Sequence, residues 1–258
     1  MEKKKLSIWR ILAYFTIYSF LGYIIETVFA IIFCGVIESR QSFLYGPFSG
    51  VYGAGAVILI LTLKYFDKNN ATIFLGGCII GSITEYLINF IGEVVYDARW
   101  WDYSNKLLNL NGRICLQYTI FWGILSLILF KIINPQIDKF IVFIESKVSM
   151  NKLKSFATIC TVLMVINIVS SAMAVNVFLT RIIVQNNIDV ANKEEVLNEY
   201  KKVYGNDLKS KFIYKFWGDK KMILTYPNIR VQEKDGNVVY AHDLIPNVKP
   251  YLYKFNEK

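Results

Sequence analysis

Long charge-free runs separated by short charged links set the pattern of this chain. Residues 41–63 and 155–180 carry no charge, and between Arg10 and Glu38 the only charged side chain is Glu26. About 18 or more consecutive apolar residues suffice to cross a hydrocarbon core of roughly 30 Å as a helix. The pattern predicts five spans, at about 8–34, 47–66, 71–95, 114–133 and 155–179. The expected fold class is therefore an all-α polytopic membrane protein with about five transmembrane helices and a small polar C-terminal region. The apolar stretch behind the opening MEKKK is longer than the ~7–15 residues of a signal-peptide core, and no small-residue cleavage pattern follows it. It reads as a retained first span.

Composition agrees, with 54% hydrophobic residues over 258 positions. The charge then sets an orientation. With the N-terminus inside, the inner segments hold eleven Lys and Arg, from Lys3 to Lys154, and the outer loops hold four: Arg40, Arg99, Lys106 and Arg113. This excess predicts a multi-pass membrane protein with its N-terminus inside. The net charge of +9 is thus mainly a topology signal. No nucleic-acid partner is expected, because no basic face with a nucleic-acid motif accompanies it. The four cysteines stand singly in apolar segments, which favours packing over a disulfide framework or a metal site. No metal and no cofactor are expected.

The segment 181–258 holds 14 Lys/Arg against 10 Asp/Glu and reads as a separate polar module. Residues 193–204, KEEVLNEYKKVY, suit a short amphipathic helix. Residues 228–244 predict two strands around the turn dipeptide Asp235-Gly236. His242, the only histidine, stands alone and reads as a solvated side chain. The domain organisation expected is a repeat-containing membrane domain over 1–133, an inner amphipathic segment with the fifth span over 134–180, and the module over 181–258.

The repeat emerges on shifting the chain by 59 residues, which lays 18–40 on 77–99. Gly22 then meets Gly81, Glu26 meets Glu85, Glu38 meets Asp97 and Arg40 meets Arg99. Each unit, about 8–66 and 71–133, is a span, an outer loop and a returning span, so the repeat is parallel. Glu26 lies 16 residues after Arg10 and 12 before Glu38, and Glu85 lies 17 after Lys68 and 12 before Asp97. At 1.5 Å per residue, both acids are expected about 18 Å from the outer charge and roughly 24–26 Å from the inner one.

An ionised acid facing lipid at that depth would cost at least about 2–3 kcal/mol, so both should face the bundle. Gly77, Gly81, Glu85, Asn89 and Glu93 recur every four residues and form one stripe, as do Tyr18, Gly22 and Glu26. Small residues allow close helix approach. Two readings stand: a buried helix-to-helix hydrogen bond, or a functional polar site, which the presence of two acids at one level favours. Arg40, Arg99 and Arg113 are the nearby cations. The loop over 98–113, with Trp100, Trp101, Asp102 and Tyr103, suits a structured lid better than a plain aromatic belt, and Gly112 closes it. In residues 43–55, Pro47 and the glycines Gly46, Gly50, Gly53 and Gly55 predict either a broken start to the second span or close glycine packing.

The segments YSFLGYIIE, FLYGPFSGVYG, ARWWDYS, LNLNGRICL and FWG resemble the CmpB-like family of bacterial membrane proteins, labelled type IV ABC-transporter permeases. The resemblance is strong over about 12–130 and extends weakly to ILTYPNIRV at 223–231. Tyr23 stands where the family usually has Trp, and Ser49-Gly50-Val51 replaces a more usual proline-containing step. The resemblance implies a multi-span protein of the bacterial plasma membrane and transfers no catalytic residues.

The leading expectation is a transporter permease component. Its polar intramembrane site would be built from Glu26, Glu85, Asn89, Glu93 and Arg113 between the repeats, capped by Trp100–Tyr103. No Gly-x4-Gly-Lys-Ser/Thr loop occurs in the chain, so an ATPase would be a separate subunit docking on the inner loop 131–154. Five spans are few for a permease half, which favours a homodimer. An accessory or regulatory membrane subunit ranks second. A membrane enzyme acting on a lipid-linked substrate ranks third, because the membrane region has no histidine and no GxSxG nucleophile.

Overall fold

The computed structural model of the chain describes residues 6–63, 65, 66, 68–96 and 101–255, with Val95 and Tyr96 described by backbone only. Apolar composition drives long helices, and the one interior proline among them, Pro135, stands in the first turn of α5 directly after a π turn. The elements are α1 (Ile8–Phe29), prolonged by a π-helical turn at Ala30–Cys34, then β1 (Val36–Ile37), α2 (Gly50–Leu63) and α3 (Asn70–Tyr96). They continue with α4 (Leu116–Ile128), a second π turn at Leu129–Ile133, α5 (Asn134–Lys147) and α6 (Met150–Gln185). Three short helices follow, α7 (Lys193–Tyr204), α8 (Asp207–Phe216) and α9 (Asp219–Thr225), with strands β2 (Arg230–Gln232), β3 (Val238–Tyr240) and β4 (Tyr253–Lys254).

Among the described residues four helices are long and apolar enough to cross a membrane: Ile8–Cys34, Asn70–Val94, Leu116–Lys147 and Met150–Gln185. The segment expected as a second span is shorter. Helix α2 has 14 residues, about 21 Å of rise against a core of roughly 30 Å. Its start is delayed because residues 42–47 bend and Gly46 sits in the left-handed region at φ 80° immediately before Pro47. The inner amphipathic segment is not a loop: α5 continues α4 through the π turn into one helical run of 32 residues.

The chain divides into two compact units, Met1–Gly22 with Ser49–Met164, and Tyr23–Phe48 with Val165–Lys258. In the first, Tyr14, Tyr18, Leu59, Leu63, Ile73 and Ile137 belong to one buried apolar cluster. Polar clamps bind α1 to α5. Tyr14 donates its hydroxyl to Asp138, Tyr18 donates to Asn134 Oδ1 at 3.0 Å, and Arg10 grips Glu145 with two bonds of 3.0 and 2.6 Å. Helix contacts in this unit rest on glycines. A Cβ on Gly22 would overlap Tyr52, and one on Gly53 would overlap Ser19 Oγ. On the next helix pair, a Cβ on Gly81 would overlap the Trp122 indole, and one on Gly123 would stand 2.6 Å from Cys78 Sγ.

In the second unit β2 and β3 form an antiparallel hairpin with Val231 opposite Val239, turning at Gly236 with φ 91°. Strand β1 pairs antiparallel with β4, Val36 opposite Lys254. Helix α7 occupies the predicted 193–204. The unit is organised around Arg181, which is fully buried at 0% exposure. Its guanidinium forms an ion pair with Asp219 and donates to the Trp217 carbonyl and the Tyr204 hydroxyl, each at 3.3 Å. It lies 4.9 Å from the Tyr214 ring and 5.4 Å from that of Phe178. Burial pushes the Tyr204 hydroxyl up to about 12 although Arg181 opposes the shift, so it stays a neutral partner. His242 is half-buried, with Nδ1 3.0 Å from the Pro227 carbonyl.

Candidate functional site

The polar stripe of α3 does two jobs along its length. At Gly77 and Gly81 the missing side chains admit Ser126 and Trp122 of α4. One turn further, the stripe becomes acidic and meets the loop that joins α3 to α4. Glu85 is 6% exposed. Its Oε1 accepts from the Tyr103 hydroxyl and its Oε2 from the Trp122 Nε1–H, both at 3.0 Å. Asn89, at 0% exposure, donates from Nδ2 to the Trp101 carbonyl at 2.8 Å, and its Oδ1 has no partner among the described residues. Glu93 forms an ion pair with Arg113, whose guanidinium lies 5.3 Å from the Tyr86 ring and 5.5 Å from that of Phe90. Glu85 and Glu93 are eight residues apart, about 12 Å along the helix.

The loop folds onto these groups as a built element. Tyr103 N donates to the Gly112 carbonyl at 2.7 Å, and Trp101 Nε1 donates to the Arg113 carbonyl at 2.9 Å. Gly112 has φ 67°, a left-handed conformation that side chains with a Cβ adopt only with strain. Tyr103 stacks on Tyr118 of α4 with ring centroids 4.5 Å apart. Burial, and next the adjacent Glu85 charge, raise the Tyr103 hydroxyl far above its ordinary range. It is a neutral hydrogen-bond donor at any physiological pH. The Glu85 carboxyl is thus held by two uncharged donors and paired with no cation among the described residues. Arg113, by contrast, is matched by Glu93. Such a site suits a proton, a cation or a ligand rich in hydrogen-bond donors.

Of the residues expected at a site, Glu85, Asn89, Glu93, Trp101, Tyr103 and Arg113 come together here. Asp102 points elsewhere, accepting from Ser104 N at 2.9 Å and Ser104 Oγ at 2.6 Å within the loop. Arg99 and Trp100 lie outside the described residues. Glu26 and Arg40 belong to the second unit, where Glu26 is half-buried on α1 and Arg40 bridges Glu38 at 2.7 Å. Trp122, Tyr118, Tyr86 and Phe90 join the site without having been singled out. The FWG segment holding Trp122 is legible as a motif, but spacing alone does not pair an indole on one helix with an acid on another.

The protein family described as "Putative ABC-transporter type IV" matches residues 13–172, a range that contains most of α1, all of α2–α5 and every group of this site. No curated protein and no solved structure was found to match the chain. Since the match covers well over half of the sequence, the chain belongs to that family.

Proposed function

We propose that this protein is the permease component of a membrane transporter and that the acidic half of the α3 stripe, roofed by the 101–115 loop, is its polar intramembrane site. The observation that carries this reading is Glu85, a carboxyl group 6% exposed on an apolar helix and held, among the described residues, by Tyr103 and Trp122 rather than by a cation. A purely structural acid gains most from a charged partner or from several backbone donors. The Oδ1 of Asn89 one turn further along α3, without a partner among the described residues, is a further acceptor for a ligand.

The parallel repeat is supported by packing. The contacts Gly22–Tyr52 and Ser19–Gly53 in α1 and α2 correspond to Gly81–Trp122 and Cys78–Gly123 in α3 and α4. The offset is 59 residues in the first helix of each pair and 70 in the second, as the longer second loop requires. On this reading Glu26 is the first repeat's counterpart of Glu85. Energy comes from a separate ATPase at the inner side, and α5 is its docking element, with Phe140 and Phe143 exposed beside Lys139 and Lys147. A second copy of the chain completes the permease.

The test is Glu85→Gln, which keeps the shape and one acceptor but removes the charge. In a strain lacking the gene, this variant is expected to accumulate to the parental level and to fail to restore the parental phenotype. Full restoration would overturn the site.

A further inference from the structure

We propose that α8 is an interfacial helix that seats the C-terminal module on the anionic headgroup surface of the bilayer. The helix carries two apolar faces. One holds Ile213 and leads to Trp217, both buried in the module. The other holds Leu208, Phe212 and Phe216, spaced four apart and so gathered into one stripe. These three are exposed at 80%, 52% and 45%, although Phe212 and Phe216 are among the largest apolar side chains.

Lysines border that stripe on both sides. At 100° per residue, Lys209 falls at one edge, and Lys211 and Lys215 fall at the other. Lys215 Nζ lies 5.3 Å from the Phe216 ring, so its stem runs along the apolar surface while its ammonium stays at the rim. Apolar centre with cationic rims is the pattern of a helix lying in the headgroup layer, where lysines reach phosphates while aromatic rings enter the acyl boundary. The only acid in α8 is Asp207, in its first turn. A two-fold contact with a second copy would set these lysines against their own equivalents with little to neutralise them, which disfavours that occupant.

The module is also held where such a surface must be. On α6 of the same unit, Val165, Ile166, Ile168, Val169 and Met173 are exposed; Ser171 is buried among them, and buried apolar side chains begin at Ala174. Helix α8 is fastened just beyond this change, with Arg181 4.9 Å from the Tyr214 ring and Gln185 Nε2 3.3 Å from the Tyr214 hydroxyl. Met173 to Arg181 is about 12 Å of helix, comparable to a headgroup layer plus the radius of a helix lying in it. A second tie lies at the end of the apolar α1 run. Leu252 N donates to the Ile37 carbonyl at 2.7 Å and Phe255 N to that of Gly35 at 2.9 Å, with Phe255 exposed beside them.

The test uses the full chain with its four cysteines replaced by alanine and a nitroxide attached through Phe212→Cys, with Glu199→Cys on α7 as the aqueous control. In nanodiscs of phosphatidylglycerol and phosphatidylcholine in equal parts, position 212 is expected to be shielded from an aqueous nickel chelate and open to oxygen, unlike position 199. The triple variant Lys209→Gln/Lys211→Gln/Lys215→Gln is expected to lose roughly a hundredfold in surface partitioning, about fivefold per lysine, and to regain nickel access. Nickel access at 212 equal to that at 199 in the anionic discs would overturn the proposal. Equal shielding in pure phosphatidylcholine would overturn the anionic-lipid assignment. Shielding that persists in detergent with dipolar coupling between two labels at 212 would replace the bilayer with a second copy of the chain.

Discussion

Asp219→Ala is expected to lower stability by about 2–3 kcal/mol and the melting temperature in detergent by roughly 5–10 °C. The variant leaves the Arg181 guanidinium at 0% exposure without its counter-ion. Breaking a fully buried pair typically costs about 3–5 kcal/mol. The lower value applies because the Asp219 side chain is 38% exposed and the Trp217 carbonyl and Tyr204 hydroxyl still accept from Arg181. The loss comes from an uncompensated charge, not from a missing contact. Adding Arg181→Met to Asp219→Ala should therefore recover most of the stability, since an apolar chain of similar length fits among Phe178, Tyr204 and Tyr214. Thermal unfolding of the two variants beside the parent checks this, and a double variant no better than the single would refute it.

Gly81→Ala is the second large effect, and its sign is the informative part. In a free helix interior the exchange is worth about 1 kcal/mol of stabilisation. Here the added methyl would overlap Trp122, and overpacking of a closed interface costs about 1–3 kcal/mol. Displacing the indole also breaks the Trp122 bond to Glu85, leaving a buried acceptor short of a donor for a further ~1–3 kcal/mol. Net destabilisation of about 1–5 kcal/mol is expected, read as a lower melting temperature and a shifted tryptophan emission. Gly22→Ala should destabilise in the same direction, because its added methyl would overlap Tyr52. A stabilised Gly81→Ala would mean that α3 and α4 do not approach as closely as described.

Sequence patterning reveals helices and faces better than partners. The α3 stripe is legible because Gly77, Gly81, Glu85, Asn89 and Glu93 keep a four-residue period, and the roofing loop because its aromatic and polar density is unlike a simple link. The hairpin at 230–240 is legible because Asp235-Gly236 provides the left-handed turn that its Gly236 φ requires. The late start of α2 is legible in Gly46-Pro47 and the close packing in Gly53, whereas hydropathy alone, which counts apolar residues without asking where helix can begin, draws the span too long. Trp122 was missed because its bond to Glu85 spans 37 residues with no intervening periodicity. Arg181 was missed for a related reason. It reads as the first charge after an apolar run, yet it is held by residues 23 to 38 positions later. Strand pairing of β1 with β4 joins two residues to two across most of the chain, which leaves no local signal at all.

The polar face of α3 is the centre of this account, and a transport site must open to water at some stage of its cycle. The direct measurement is the reactivity of Asn89→Cys toward a membrane-impermeant methanethiosulfonate in intact cells, in a background whose native cysteines are alanine. Ile83→Cys, on the exposed apolar side of the same helix, is the lipid-facing reference. Position 89, although fully buried in this structure, is expected to react while position 83 stays inert. A folded protein in which position 89 is as unreactive as position 83 would show that no aqueous path reaches Glu85 and its neighbours, contradicting the site.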